Sequence, residues 1–343
     1  MKFVLRFLTR LLPRGNDLRT QNAAVNTFPK HGPRKAVLNL VVCSMLGGTL
    51  LACGFAKGPG QGSFGAVSTE RQKVKVTIKR EADATHFYVE NDELCEVTMT
   101  FEMDLLNLKG SIEFPYTATF APGKVTEAFA LSPSVPDAKW GYSYTNYYKL
   151  GSSCAQHQNS YVYQLPYGLG STFHVTQAYG GSFSHKGSNK YAIDWKMAEG
   201  TLVRAARGGL VVKMKDDSNR GGSSITYDPY NNFVLIRHED GTLGHYCHLQ
   251  KGSCVVRPGQ MVKTGDPLAR SGNTGFSSGP HLHFCVFKTR DGRERESIPV
   301  KFRTADTESI TLVEGGNYKA GGIGNVSAGL TLPIAQAQGG VSQ

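Results

Sequence analysis

The chain has no His-Glu-x-x-His sequence, no run of helical hydrophobic period between residues 156 and 303, and no arginine and lysine cluster interleaved with aromatic residues. The first absence removes the helix-borne metalloprotease site in which a glutamate serves as base. The second argues for an all-β or nearly all-β domain there. The third argues against nucleic acid as the main partner. A formal charge of +11 suggests a polyanion binder until the charge is located. Residues 1–52 hold eight Lys/Arg and a single acid, Asp17, while the rest of the chain holds 30 basic and 26 acidic residues. The body is therefore only mildly basic, which still suits an anionic envelope polymer. A length of 343 residues allows two domains plus appendages.

Residues 1–35 read as a basic leader and 36–53 as a signal segment. Lys30, Arg34 and Lys35 precede an apolar run, Ala36 to Ala52, and a small residue stands before the break, as in a secretory signal. Leu50-Leu51-Ala52-Cys53 also resembles a bacterial lipobox, in which Cys53 is acylated and becomes the mature N-terminus. An uncleaved membrane anchor is the alternative, although the run is at the short edge of what spans a bilayer. Either reading exports the body to the cell envelope or periplasm. Residues 54–72 form a glycine-rich flexible tether. Val97, Met99, Phe101 and Met103 alternate with polar residues, which predicts a half-buried strand. Shorter runs repeat the theme, so residues 73–155 are expected to be a small antiparallel β-sandwich. Residues 156–303 form the main domain, and 304–343, rich in Gly, Ala and Gln, are expected to be a disordered tail.

Chemistry concentrates in the main domain. His281 and His283 open a predicted strand, and residues two apart on a strand point to the same face. One imidazole can bind a metal while the other reaches whatever the metal binds. The glycine-rich stretch from Ser271 to Pro280 makes a loop that delivers this strand into a cleft. Upstream, a loop histidine, His185, precedes Asp194, which sits between Ile193 and Trp195. A buried carboxylate there needs a partner, and a metal would supply one. In Gly244-His245-Tyr246-Cys247-His248, alternation puts His248 with Tyr246 and His245 with Cys247, so one of these two histidines faces the cleft.

Ala192-Ile193-Asp194, Gly200-Thr201-Leu202-Val203, Tyr246-Cys247-His248-Leu249, Ser271-Gly272-Asn273-Thr274-Gly275 and Gly279-Pro280-His281-Leu282-His283-Phe284 together closely resemble the lysostaphin/LytM-type zinc endopeptidases. The resemblance spans roughly residues 156–303. It implies an all-β chain whose catalytic part is an open β-sandwich or half-barrel with a duplicated hybrid motif, preceded by the small antiparallel β-domain. It implies a zinc-dependent endopeptidase that hydrolyses peptide cross-links of bacterial peptidoglycan. Carried over by position, the zinc ligands are His185, Asp194 and His283, the catalytic histidines are His248 and His281, and Tyr179 matches a tyrosine that stabilises the oxyanion. One departure stands out. The commonest family form has its first histidine four residues before the aspartate, where this chain has Lys190, and His185 lies nine before it. Zinc with three protein ligands leaves a position for water, and imidazole must replace carboxylate as base.

Two rivals remain. Some relatives that have lost zinc ligands are catalytically silent activators of cell-wall amidases, but all five residues of the ligand and histidine set are present here. A biotinyl or lipoyl carrier is suggested by short hairpins around Lys213-Met214-Lys215, but such carriers flank a lysine with methionines, the reverse of this triplet. Export makes disulfides permissible. Cys95 with Cys154 and Cys247 with Cys254 are the pairs to consider, and Cys285 is left as a spare thiol, a partner for another cysteine or a core residue.

Overall fold

The computed structural model describes residues 72–321 together with the strand Arg19–Asn22. The apolar run, Cys43, Cys53 and the tether up to residue 71 lie outside the described residues. Arg19–Asn22, read from the sequence as leader, runs antiparallel along the strand Gly141–Leu150.

Residues 74–150, together with Arg19–Asn22, build two four-stranded antiparallel sheets. One has the order Val74–Arg80, Thr85–Asn91, Lys124–Pro133, Leu108–Gly110, and the other Arg19–Asn22, Gly141–Leu150, Val97–Leu106, Tyr116–Phe120. Alternation gives each sheet one apolar face, and these faces meet over Phe87, Met99, Phe101 and Phe129. Phe87 and Phe129 stack at 4.6 Å between centroids. The strand Val97–Leu106 departs from the half-buried pattern, because Thr98 and Thr100 are buried as well. Their face packs on the rest of the chain: Thr98 Oγ1 accepts from Ser153 N at 3.0 Å and Thr100 Oγ1 from Gly292 N at 3.0 Å.

The remaining chain folds around a nine-stranded sheet whose central strands are Leu243–Cys247, His281–Thr289, Ile193–Lys196 and Thr172–Gln177, all antiparallel. One face is apolar. Ile193, Trp195, Tyr246, Leu282 and Phe284 pack there under Val203, Leu268 and Phe302. Residues paired across antiparallel strands share a face, so the opposite face carries Asp194, His283, Cys247, His245 and Cys285 in sequence across the register. At its far end Leu243 and Phe287 pack against Cys95 of the sandwich. There Arg237 clasps Glu96 with Nε and Nη2 at 2.9 and 2.6 Å, and Thr289 Oγ1 donates to Leu150 O at 2.6 Å. The sandwich thus covers one end of the face whose other end holds the conspicuous histidines.

One expectation is corrected. Residues 304–321 are not a disordered tail: Asn317–Lys319 pairs with Thr172–Gln177, and Leu312 and Ala320 are buried. A turn at Gly315, with φ +82°, brings the chain back so that Gly315 N donates to Val175 O. Residues 322–343 lie outside the described residues. All five described cysteines are free, so neither candidate pair is bridged. Cys95 is buried in the seam between sandwich and sheet, whereas Cys154 is exposed.

Candidate metal centre

The strand His281–Thr289 lies between Ile193–Lys196 and Leu243–Cys247, with Asp194 opposite His283 and Lys196 opposite His281. Register therefore puts both histidines of the His-x-His pair and both Asp194 and Lys196 on one face. His283 Nδ1 donates to Asp194 Oδ1 at 2.8 Å. His185 comes in from the loop after Thr172–Gln177. Its Nδ1 donates to Ala178 O at 2.8 Å, which leaves Nε2 as the lone-pair nitrogen. That Nε2 stands 3.1 Å from Asp194 Oδ2 but out of line for a hydrogen bond, so it is a buried nitrogen without a hydrogen-bond partner. One ligand atom from each of His185, Asp194 and His283 lies within 4.8 Å of the others. Two imidazoles and a carboxylate so gathered, with an unpartnered lone pair among them, fit a divalent transition-metal cation.

The long spacing between His185 and Asp194 is absorbed by a single 3₁₀ turn, Gly187–Asn189, entered through Gly187 at φ +54°. Lys190, four residues before the aspartate, turns outward over the Tyr191 ring at 5.0 Å. Burial alone would raise the Asp194 carboxyl, but the neighbouring His283 and the contacts from His185 and His283 hold it well below the usual carboxylate range. Burial pulls the His185 ring down, and Asp194 and the Ala178 carbonyl outweigh it, leaving its pKa raised. For His283 burial wins over Asp194, and its pKa is lowered.

His248 and His281 face each other beside this cluster, with ring centroids 4.5 Å apart. His248 departs from the expected alternation. Tyr246 points into the apolar core, whereas His248 follows the end of the strand at φ +62° and swings to the cleft side. That left-handed conformation is uncommon for a non-glycine residue. It is held by His248 N donating to Asn231 Oδ1 at 2.8 Å and Nδ1 donating to Thr274 O at 2.7 Å. His281 Nδ1 donates to Gly279 O at 2.8 Å. Both rings thus turn Nε2 away from the loop that fixes them. Burial, then the charges of His281 and His283, push the His248 pKa well below its ordinary value. His245 is the histidine that does not face the cleft. It is packed with Cys247 Sγ at 3.3 Å and Arg295 Nη1 at 3.3 Å.

Tyr179 is also corrected. Its hydroxyl donates to Val300 O at 2.6 Å and accepts from Val300 N at 2.8 Å, and the residue does not line the cleft. Those backbone bonds occupy the group that an oxyanion would need. Sequence reasoning missed Gln177. Its Nε2 donates to Asp194 Oδ2 at 2.9 Å and to Ser184 Oγ at 2.8 Å, while Oε1 accepts from Phe183 N and Ser184 N at 3.1 and 2.9 Å. One side chain thereby fixes the carboxylate and the loop that carries His185. Gly181 makes room for it, since a Cβ there would fall 2.3 Å from Gln177 Cγ. The cleft over the cluster has a volume of about 470 Å³, with Phe183 and Phe276 stacked at 5.7 Å on its rim and Lys196 and Glu314 among its walls.

Comparison with known proteins supplies a family. Residues 188–295 match the model of Peptidase family M23. That span includes Asp194, His248, His281 and His283 and begins three residues after His185. An uncharacterized metalloprotease of Haemophilus influenzae is 37% identical over 100 residues, which are 29% of this chain and 18% of that one. The peptidoglycan DD-endopeptidase ShyA of Vibrio cholerae is 35% identical over 91 residues, 26% of this chain and 18% of its own. Lysostaphin of Staphylococcus simulans is 37% identical over 136 residues, 40% of this chain and 24% of its own. The chain thus spans about a quarter or less of the length of these relatives. Among solved structures, the catalytic domain of the prophage-encoded protein EnpA from Enterococcus faecalis aligns with 24% identity and a TM-score of 0.29, covering 39% of this chain and 93% of its own. The chain carries a peptidase family M23 domain.

Proposed function

We propose that the protein is a zinc-dependent endopeptidase that hydrolyses peptide cross-links of bacterial peptidoglycan. The observation that carries this reading is the convergence of His185, Asp194 and His283 within 4.8 Å, flanked by two histidines whose orientation is fixed from behind. Relatives named for peptidoglycan endopeptidase and lysostaphin activity support the substrate. His185 Nε2, an Asp194 oxygen and a ring nitrogen of His283 would hold the ion, His283 giving up the proton that it shares with Asp194 if Nδ1 is the ligand. Zinc in such a site supplies Lewis-acid activation of water and of the scissile carbonyl. The side chains do the rest. His248 and His281 line the cleft, where Nε2 of one takes a proton from the attacking water and the other donates to the oxyanion that develops from the carbonyl oxygen of the amide. Attack forms the C–O bond, the C–N bond breaks, and the abstracted proton passes to the leaving amine. The His248 ring is kept neutral by burial, as a proton acceptor must be.

The sandwich of residues 73–155 is proposed as a separate domain docked on the peptidase, and acylation at Cys53 as the link to the membrane; fatty-acid labelling of the wild type but not of Cys53→Ala tests the latter. The hydrolase reading is tested by incubating the protein with purified peptidoglycan and resolving the soluble products. New cross-link cleavage products, lost with a chelator and restored by zinc, are expected. Intact cross-links with a zinc-loaded protein would point instead to a catalytically silent activator of amidases.

A further inference from the structure

The cleft contains a cation for which the proposed hydrolysis has no task. Lys196 ends the strand Ile193–Lys196, two residues beyond Asp194 and paired in register with His281. Both relations place it on the floor that carries Asp194, His281 and His283, and it lines the cleft with them. Its four-carbon stem therefore presents an ammonium in the same cleft as the metal cluster. Lys196 is exposed and, among the described residues, forms no ion pair. The cleft's exposed acid, Glu314, stands on the His185 side and is not within ion-pair distance of it. Two opposite charges kept apart across one cleft give it a polarity, positive toward His281 and negative toward His185.

Resting on the hydrolase reading, we propose that Lys196 is a specificity-determining residue that receives a free carboxylate on the carbon next to the scissile amide nitrogen. The substrate class is then a direct cross-link through a diamino acid whose amide-bearing carbon keeps its carboxylate. A glycine bridge offers only a neutral amide at that place, and it leaves the ammonium without a partner. Glu314 reinforces the choice, because a carboxylate seated the other way round would meet a like charge.

The test uses zinc-loaded protein and two cross-linked muropeptide dimers that differ only in whether the carboxylate beside the scissile amide is free or amidated. Initial rates and equilibrium binding are measured for both. The wild type is expected to favour the free carboxylate by about tenfold or more in kcat/KM, the scale of one charge-assisted contact. Lys196→Met is expected to abolish that preference by raising KM on the free dimer by about tenfold, well beyond its effect on the amidated dimer, with Lys196→Arg restoring part of the preference. Equal handling of the two dimers by the wild type, or an equal loss on both in Lys196→Met, would overturn the assignment. If neither dimer is cut, the hydrolase reading fails on its own, and the binding preference still decides the role of Lys196.

Discussion

Gln177→Leu is the perturbation that most sharply separates the metal centre's support from its ligands. The substitution keeps the size of a residue that is 7% exposed and removes both of its polar ends. Asp194 Oδ2 loses the donor at 2.9 Å, and the N–H groups of Phe183 and Ser184 lose their acceptor. Outer contacts of this kind are worth about 10- to 100-fold in metal affinity, or roughly 1.4–2.7 kcal/mol. The two backbone donors are only partly buried, so the metal-free fold should lose about 1–2 kcal/mol. Ser184→Ala removes the other acceptor of Gln177 Nε2 and leaves the bond to Asp194 intact. It should therefore keep zinc affinity close to the wild type. Zinc affinity by competition with a chromophoric chelator, and urea unfolding of the metal-free proteins, read the two effects separately. Equal zinc affinity in Gln177→Leu and wild type would refute the reasoning.

Three further outcomes are expected. His248→Ala and His281→Ala should each keep stoichiometric zinc and lose about 10²- to 10⁴-fold in kcat; loss of the metal instead would make the residue a ligand. His238 is buried, with Nδ1 bonded to Gly208 O at 2.9 Å, and burial pushes its pKa from 6.5 down to about 4. The unfolded chain then binds the extra proton between those values, so stability is full above the unfolded pKa and falls as pH drops from about 7 to 4, by about 3 kcal/mol. His238→Gln should flatten that part of the urea-midpoint profile, and an unchanged slope would remove His238 as its source. Arg237→Ala breaks the two-point clasp on Glu96 between sandwich and sheet and should cost about 1 kcal/mol, less in high salt; a thermal midpoint equal to the wild type would count against a tightly docked seam.

The sequence carried much of this because strand chemistry is local. His281 and His283 fall two apart on a real strand, and Asp194 sits between two buried apolar residues, so period and cost of burial were enough to single them out. His248 was singled out on the wrong geometric ground. Alternation gave it the face of Tyr246, and only the positive φ, fixed by Asn231 and Thr274, takes it to the cleft. Tyr179 looked available because its position said nothing of Val300, 121 residues away. Gln177 was invisible for the same reason, since its value lies in reaching Asp194 and the Phe183–Ser184 loop together; Gly181 was the only nearby mark. Glycine and alanine after residue 304 read as disorder, whereas Asn317, Tyr318 and Lys319 pair with Thr172–Gln177 once the turn at Gly315 has brought the chain back.

The central claim is that His185, despite standing nine residues before Asp194, completes a three-residue zinc site. The most direct measurement is zinc stoichiometry by elemental analysis for the wild type, His185→Ala and His283→Ala after dialysis against a weak chelator, beside their release of muropeptides. One zinc per wild-type chain, with zinc and cleavage both lost in each variant, is the predicted result. Stoichiometric zinc and undiminished cleavage in His185→Ala would contradict it.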